Sequence, residues 1–248
     1  MSKDGIARAA VCGGAGGLGR AVASKFLQQG YEVVLFDVSP DASSIASGLG
    51  DGRCRGVTVD LSSWSATRAV FDRLKVLGQS FDVLVNAQGW DKPTPFIETD
   101  EPDWDQLIGI NLKSVIHSCR CFLDQIDGTQ AHIVNVSSDA GRIGTKGEAV
   151  YSACKAGVIG FTKTLAREHA KNGVLVNCVA PGPIDTPLFA SIKSARPTMI
   201  EKMVKQIPLG RVAQPAEIAE VIYFLASRQN SYVTGQVISA SGGLTMVG

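Results

Sequence analysis

Short apolar runs at residues 6–11, 32–37, 53–59, 82–86, 131–138, 175–179 and 234–239 alternate with amphipathic helical patterns along this chain. That alternation constrains the fold more than any other feature. Neighbouring parallel strands cannot be joined by a tight hairpin; they need a crossover of a dozen residues or more, normally a helix. Strands alternating with helices therefore predict crossover units and a parallel sheet. The helical patterns fall at 20–29, 41–49, from Ser62 or Ser63 to 77, and at 104–127, 150–171 and 214–226. The stretch 90–103 reads as a loop rich in Pro, Asp and Thr. With 248 residues and no internal repeat, linker or low-complexity segment, one domain spanning 1–248 is expected.

Composition narrows the function classes. A hydrophobic fraction of 45% supports a sizeable core, and a formal net charge of +1 argues against a polyanion-binding surface, so no nucleic-acid partner is expected. Six cysteines are scattered without a Cys-x-x-Cys, and the three histidines lie at no ligand spacing from them. No metal site is expected, and the thiols read as reduced and mostly buried. The first residues run directly into an apolar strand without a signal-peptide pattern, and no apolar run is long enough to cross a bilayer. The expected location is cytoplasmic, away from membranes.

The first apolar run feeds Cys12-Gly13-Gly14-Ala15-Gly16-Gly17-Leu18-Gly19, and a helical pattern follows at once. Glycines allow a tight turn and close approach of the backbone to a pyrophosphate, and the helix start adds free N–H groups and the positive end of its dipole. The spacing Gly13-x-x-x-Gly17-x-Gly19 differs from the G-x-G-x-x-G fingerprint. By itself such a turn is weak evidence, since many loops have one. The second run closes on Asp37, eighteen residues after Gly19. A carboxylate there can accept hydrogen bonds from both hydroxyls of an adenosine ribose and would repel a 2′-phosphate. Gly14, Ala15 and Val38 bring no cation to offset it, so NAD is expected over NADP. A turn or helix-cap aspartate is the plainer alternative.

Tyr151 and Lys155 stand one turn apart on one helix face. A free tyrosine, with a pKa of about 10, is a poor base at neutral pH. A cation near its oxygen favours the phenolate and makes it usable in acid–base chemistry. A tyrosine packed on the core beside a snorkelling lysine has the same spacing. The fifth run ends in Ser137-Ser138, at the strand end where open parallel sheets bind ligands, and the loop 139–149 can return the helix start to it. Asn111 interrupts the 104–127 pattern. A kink, a functional hydrogen bond or a solvent-facing position would each account for it.

The glycine turn, Asn86-Ala87-Gln88-Gly89, Asn111, Ser138, Tyr151-x-x-x-Lys155 and Pro181-Gly182 stand in an order and spacing that resembles the short-chain dehydrogenase/reductase family over essentially the whole chain. The resemblance implies a single-domain Rossmann-type α/β fold with a doubly wound, seven-stranded parallel sheet. It implies a catalytic tetrad of Asn111, Ser138, Tyr151 and Lys155. It places a pyrophosphate on Gly13, Gly16, Gly17, Leu18 and Gly19, the adenosine ribose on Asp37, and the adenine on Asp60 and Leu61. Asn86, Ala87 and Gly89 would lie beside the ribose. Pro181, Gly182, Ile184 and Thr186 would meet the nicotinamide end, with Tyr151 and Lys155. Cys12 in place of threonine and Ala87-Gln88 in place of asparagine-alanine depart from the family pattern away from the reacting groups. In such a site Tyr151 exchanges the proton of a secondary alcohol, Lys155 lowers its pKa, Ser138 orients the substrate oxygen, and Asn111 can hold a water on the proton's path. A homotetramer is also implied.

Residues 187–206 set Leu188, Phe189, Ile192, Met199, Ile200 and Met203 among Lys193, Arg196, Lys202 and Lys205. By the same resemblance this segment is a substrate lid. Its cations read either as a solvated helix face or as partners for the phosphates of a coenzyme A ester. A finer resemblance, in 86–91, 138–142, 147–151, 164–170 and 241–246, is to 2-hydroxycyclohexanecarboxyl-CoA dehydrogenase-like enzymes of aromatic compound degradation. The expected activity is NAD-dependent interconversion of a β-hydroxyacyl-CoA and its 3-oxoacyl-CoA. The alternatives are a 3-oxoacyl thioester reductase of general fatty acyl metabolism and a non-catalytic partner subunit. Trp90, Asp139, Arg142 and Glu148 are expected at the pocket rim, with surface roles the alternative for the three charged residues.

Overall fold

The computed structural model describes residues 6–50, 52–126 and 130–247. Seven strands form one sheet: β1 (Arg8–Cys12), β2 (Glu32–Asp37), β3 (Cys54–Thr58), β4 (Val83–Asn86), β5 (Ala131–Val136), β6 (Val174–Pro181) and β7 (Val237–Ala240). Their order is β3-β2-β1-β4-β5-β6-β7, and every pairing is parallel. The chain winds outward from β1 to β3, crosses back to β4 and winds the other way. This is the doubly wound Rossmann-type α/β sheet expected from the alternation. The helices are α1 (Gly17–Gln28), α2 (Ala42–Leu49), α3 (Trp64–Val76), α4 (Glu101–Ile108), α5 (Ser114–Leu123), α6 (Ala140–Ile143), α7 (Ala149–His169), α8 (Pro187–Ala195), α9 (Pro197–Val204) and α10 (Pro215–Ala226).

The period of two along each strand divides the core between the two faces. Ala9, Val11, Val33, Leu35, Val83, Val85 and Val134 pack with Val22 and Phe26 of α1 and Ile218 and Ile222 of α10. Ala10, Cys12, Val34, Phe36, Leu84 and Ile133 pack on the other side with Phe71 of α3, Phe122 of α5 and Val158 of α7. Each fully buried Val, Leu or Phe contributes roughly 1.5–3 kcal/mol, so both faces must be covered for the sheet to be stable.

Four departures from the expected elements have local causes. The 104–127 helix is two helices, α4 and α5, joined by a π-helical turn at Gly109–Lys113 that contains Asn111. The loop 90–103 contains a short 3-10 turn, Phe96–Glu98, and the start of α4. Residues 187–206 form α8 and α9, with Pro197 opening the second. β7 begins late because Gly235 sits at φ 71° and Thr234 and Gln236 are bonded to Val176 and Asn177. The reading of residues 1–5 and the Asp127 end of the helix lie outside the described residues. Among the described residues no helix is long and apolar enough to cross a membrane, and no His/Cys/Asp/Glu group could hold a metal.

Candidate active site

A cavity of about 1070 Å³ opens along the carboxyl ends of the strands, from the turn after β1 past the ends of β4 and β5 to α8 and α9. The reversal of strand order between β1 and β4 leaves a crevice there, where open α/β sheets bind ligands.

The glycine turn forms one end of the cavity. Gly13 adopts φ 73°, and a Cβ on it would lie 2.6 Å from the Gln88 backbone. A Cβ on Gly19 would lie 2.1 Å from the Gly13 carbonyl oxygen. The turn is therefore packed on itself and on the end of β4 through positions that only glycine fills. Gly16, Gly17, Leu18 and Gly19 line the cavity. Gly16 caps α1 without a side-chain hydrogen bond, and the first turn carries no acidic residue. Free N–H groups and an unopposed dipole fit a pyrophosphate.

Asp37 is held at the tip of β2, accepting from Ala15 N–H at 2.9 Å and from Ser39 N–H at 3.0 Å. Arg20 reaches back from the first turn of α1, donates to the Ala15 carbonyl at 2.7 Å and lines the cavity. Asp60 accepts from Ser62 N–H at 2.9 Å beyond the end of β3, and Leu61 is buried beside it; both stand outside the cavity lining. Asn86 is buried, donating to Asn135 at 2.8 Å and accepting from Ser118 at 2.6 Å. It braces β4 against β5 and α5 beneath the site. Ala87 and Gly89 line the cavity, as do Pro181, Gly182, Ile184 and Thr186. Thr186 also caps α8, accepting from Phe189 N–H at 3.2 Å.

The serine pair at the end of β5 divides its work. Ser137 is buried and donates to the Lys155 carbonyl at 2.8 Å, tying α7 to the sheet. Ser138 lines the cavity and accepts from Ala140 N–H at 3.1 Å, which leaves its own O–H to donate. Lys155 is 2% exposed, with Nζ donating to the Val136 carbonyl at 3.0 Å and the Gln88 carbonyl at 3.4 Å. Burial lowers its pKa to about 8, with the Cys178 and Cys154 thiols and Asp91 opposing the shift. Its Nζ lies 5.6 Å from the Tyr151 ring centre. Asn111 is 0% exposed; it donates to the Trp90 carbonyl at 2.8 Å and the Leu107 carbonyl at 3.0 Å, and accepts from Trp90 N–H at 3.2 Å. Burial excludes the solvent-facing explanation; the side chain bonds backbone groups at a π-helical distortion of the helix. Asn111 stands outside the cavity lining, while a Cβ on Gly89 would lie 3.5 Å from both Asn111 Oδ1 and Lys155 Nζ.

The electrostatics at Tyr151 reverse one expectation. Burial pushes its pKa above the ordinary value, and the Asp91 and Glu148 carboxyls push the same way; a hydrogen bond with Ser138 acts oppositely. Burial, more than any charge, sets this rise, and Lys155 does not offset it. Burial also raises Asp91 to about 6, against the Lys92 N–H and Lys155. It raises Glu148 to about 7, reinforced by Asp91 and opposed by a hydrogen bond with Thr145. Asp139 accepts from Ser239 at 2.8 Å and lines the cavity, whereas Arg142 bonds the Val247 carbonyl. The site thus offers a neutral phenol, a serine donor and a buried ammonium around one point. That set can deliver a proton to a carbonyl oxygen, or take one from a hydroxyl once the phenol is ionised.

Comparisons with known proteins agree with this geometry. Residues 13–245 match the family model described as Enoyl-(Acyl carrier protein) reductase. The chain is 38% identical over 242 residues to the 3-oxoacyl-(acyl-carrier-protein) reductase FabG of Thermotoga maritima, covering 95% of this chain and 96% of the relative. It is 36% identical over 244 residues to an acetoacetyl-CoA reductase of Acinetobacter sp., covering 96% and 97% of the two chains. The crystal structure of a short-chain dehydrogenase/reductase described as a glucose/ribitol dehydrogenase from Brucella melitensis superposes with a TM-score of 0.90 at 32% identity, over 97% of each chain. With the doubly wound sheet, the glycine turn and the Ser138–Tyr151–Lys155 constellation in one cavity, the chain belongs to the short-chain dehydrogenase/reductase family of oxidoreductases, which interconvert alcohols and carbonyls.

Proposed function

We propose that the protein interconverts a β-hydroxyacyl-CoA and its 3-oxoacyl-CoA with NAD(H), the acyl group being alicyclic. The observation that carries the chemistry is that Tyr151, Ser138 and Lys155 line one cavity, with the Lys155 Nζ 5.6 Å from the Tyr151 ring centre. In the reductive direction Tyr151 gives its proton to the developing alkoxide. Ser138 O–H donates to the same oxygen and fixes its position. Lys155 has one N–H left after its two carbonyl bonds, available to a ribose hydroxyl. A bound nicotinamide supplies or accepts the hydride. Gly16, Gly17, Leu18 and Gly19 would hold the pyrophosphate, and Asp37 the adenosine ribose.

The substrate half rests on the outer cavity. Leu188, Phe189, Ile192, Met199 and Met203 give it an apolar wall suited to an alicyclic ring, and Lys146, Arg196 and Lys202 bring cations for phosphates. On this reading α8 and α9 are a lid over the substrate. A homotetramer in the cytoplasm completes the proposal. The second reading, a straight-chain 3-oxoacyl thioester reductase, draws on the two relatives named for that chemistry. The complete tetrad argues against a non-catalytic subunit.

The test is an activity screen of alicyclic and straight-chain hydroxyacyl-CoA esters and the matching free alcohols with NAD⁺ and NADP⁺. Alicyclic thioesters with NAD⁺ are expected to win, and Asp37→Ser should shift preference toward NADP⁺. A wild-type preference for NADP⁺ removes the role given to Asp37. A straight-chain optimum favours the second reading, and activity confined to free alcohols removes coenzyme A. Failure to bind NAD(H) in calorimetry would restore the non-catalytic alternative.

A further inference from the structure

Two loops are stitched together at the substrate end of the cavity. Thr94 N–H donates to the Gly147 carbonyl at 2.8 Å, and Gly147 turns at φ 85° to present it. The stitch brings Asp91, from the loop after β4, into the same cavity as Glu148, from the loop before α7. Asp91 uses one oxygen locally, accepting from Lys92 N–H at 2.9 Å. Both carboxyls act on the Tyr151 phenol, and Glu148 also feels Asp91 directly. Gln88 stands in the same lining, 9% exposed, with a buried Oε1 that has no hydrogen-bond partner. Within this polar wall the Gln88 Oε1 is a buried acceptor left without a protein partner.

We propose that Asp91 and Glu148 are specificity-determining residues that form a charge filter, admitting a neutral group beside the reacting carbonyl, such as an ester or thioester, and excluding a free carboxylate. The inference rests on the carbonyl-reduction reading above. In a 3-oxo acid the carboxylate is two bonds from the reacting carbon, and Asp91, Glu148 and Tyr151 line one cavity, so it would be held in the field of the pair. Repulsion between like charges grows in a partly desolvated cavity. The other titratable groups acting on this cluster are Lys155 and Cys154. Arg20, Asp139, Lys146, Arg196 and Lys202 are the other charged residues lining the cavity. The two carboxyls charge as pH rises through about 6 and about 7, so exclusion strengthens over that interval.

The test compares kcat/KM for ethyl acetoacetate and acetoacetate, with reduced cofactor, in the wild type and in an Asp91→Asn, Glu148→Gln double variant. The wild type should favour the ester, increasingly so as pH rises through about 6 and about 7. In the double variant the preference should fall by about tenfold or more and lose its pH dependence. An unchanged ratio overturns the filter. If the wild type reduces neither probe, the carbonyl-reduction reading is judged by the thioester screen above and the filter by phenolate absorbance. Against a Tyr151→Phe background, the Tyr151 pKa should drop in the double variant, and an unmoved pKa overturns the proposal.

Discussion

Lys155 is buried, yet two of its three donors are committed to the Val136 and Gln88 carbonyls rather than to Tyr151. On the proposed mechanism it holds one remaining donor and a positive charge in place beside the phenol ring. Tyr151→Phe removes the proton and keeps the ring, so turnover should fall by about 10²- to 10⁴-fold. NADH affinity, followed by fluorescence titration, should stay within a small factor; unchanged turnover would remove Tyr151 from the chemistry. Ser138, Tyr151, Lys155 and the glycines were legible because backbone geometry ties their spacing to their place in the fold. Asp91 and Arg20 were not. Asp91 reaches the cavity through the Thr94–Gly147 hydrogen bond, and Arg20 through a bond to Ala15, and neither contact has a sequence signature.

At the scale of elements, the position of the reacting groups depends on how closely α6 approaches α7. A Cβ on Gly141 would lie 2.6 Å from the Lys155 carbonyl carbon and 2.8 Å from Ala156 N, both backbone atoms that cannot swing aside. Gly141→Ala should force the helices apart at a cost of about 1–3 kcal/mol. Thermal unfolding should show the lower Tm, and kcat should fall more than cofactor affinity because Lys155 is displaced. An unaltered Tm would mean that the crossing can relax. The strands were readable because apolar runs bounded by turn residues have few alternatives. The break between α4 and α5 was not, because the apolar pattern continues through it and only Asn111 hints at a distortion. The division of 187–206 could have been read from Pro197, which opens helices and breaks them internally.

The whole molecule buries all six cysteines as free thiols, on both faces of the sheet. Burial raises Cys54 and Cys121 to about 11 and Cys119 and Cys178 to about 12, from an ordinary 9.0. The folded protein keeps protons that the unfolded chain releases, so these groups contribute stability below pH about 9 that is lost as pH climbs toward those folded values. Tm should fall steadily above that point, and a thiol reagent should label the protein only after unfolding; rapid labelling of the native protein would contradict this burial. The same faces set the phase of the long connection between β4 and β5. Its π turn carries one residue beyond what the α-helical pitch accommodates, and each residue advances a helix by about 100°. α5 therefore keeps its apolar side on the sheet while α4 is rotated toward the Trp90 loop. The rotation turns Asn111 inward without adding a loop, so a mismatch in residue count sets a fully buried polar anchor beside the site.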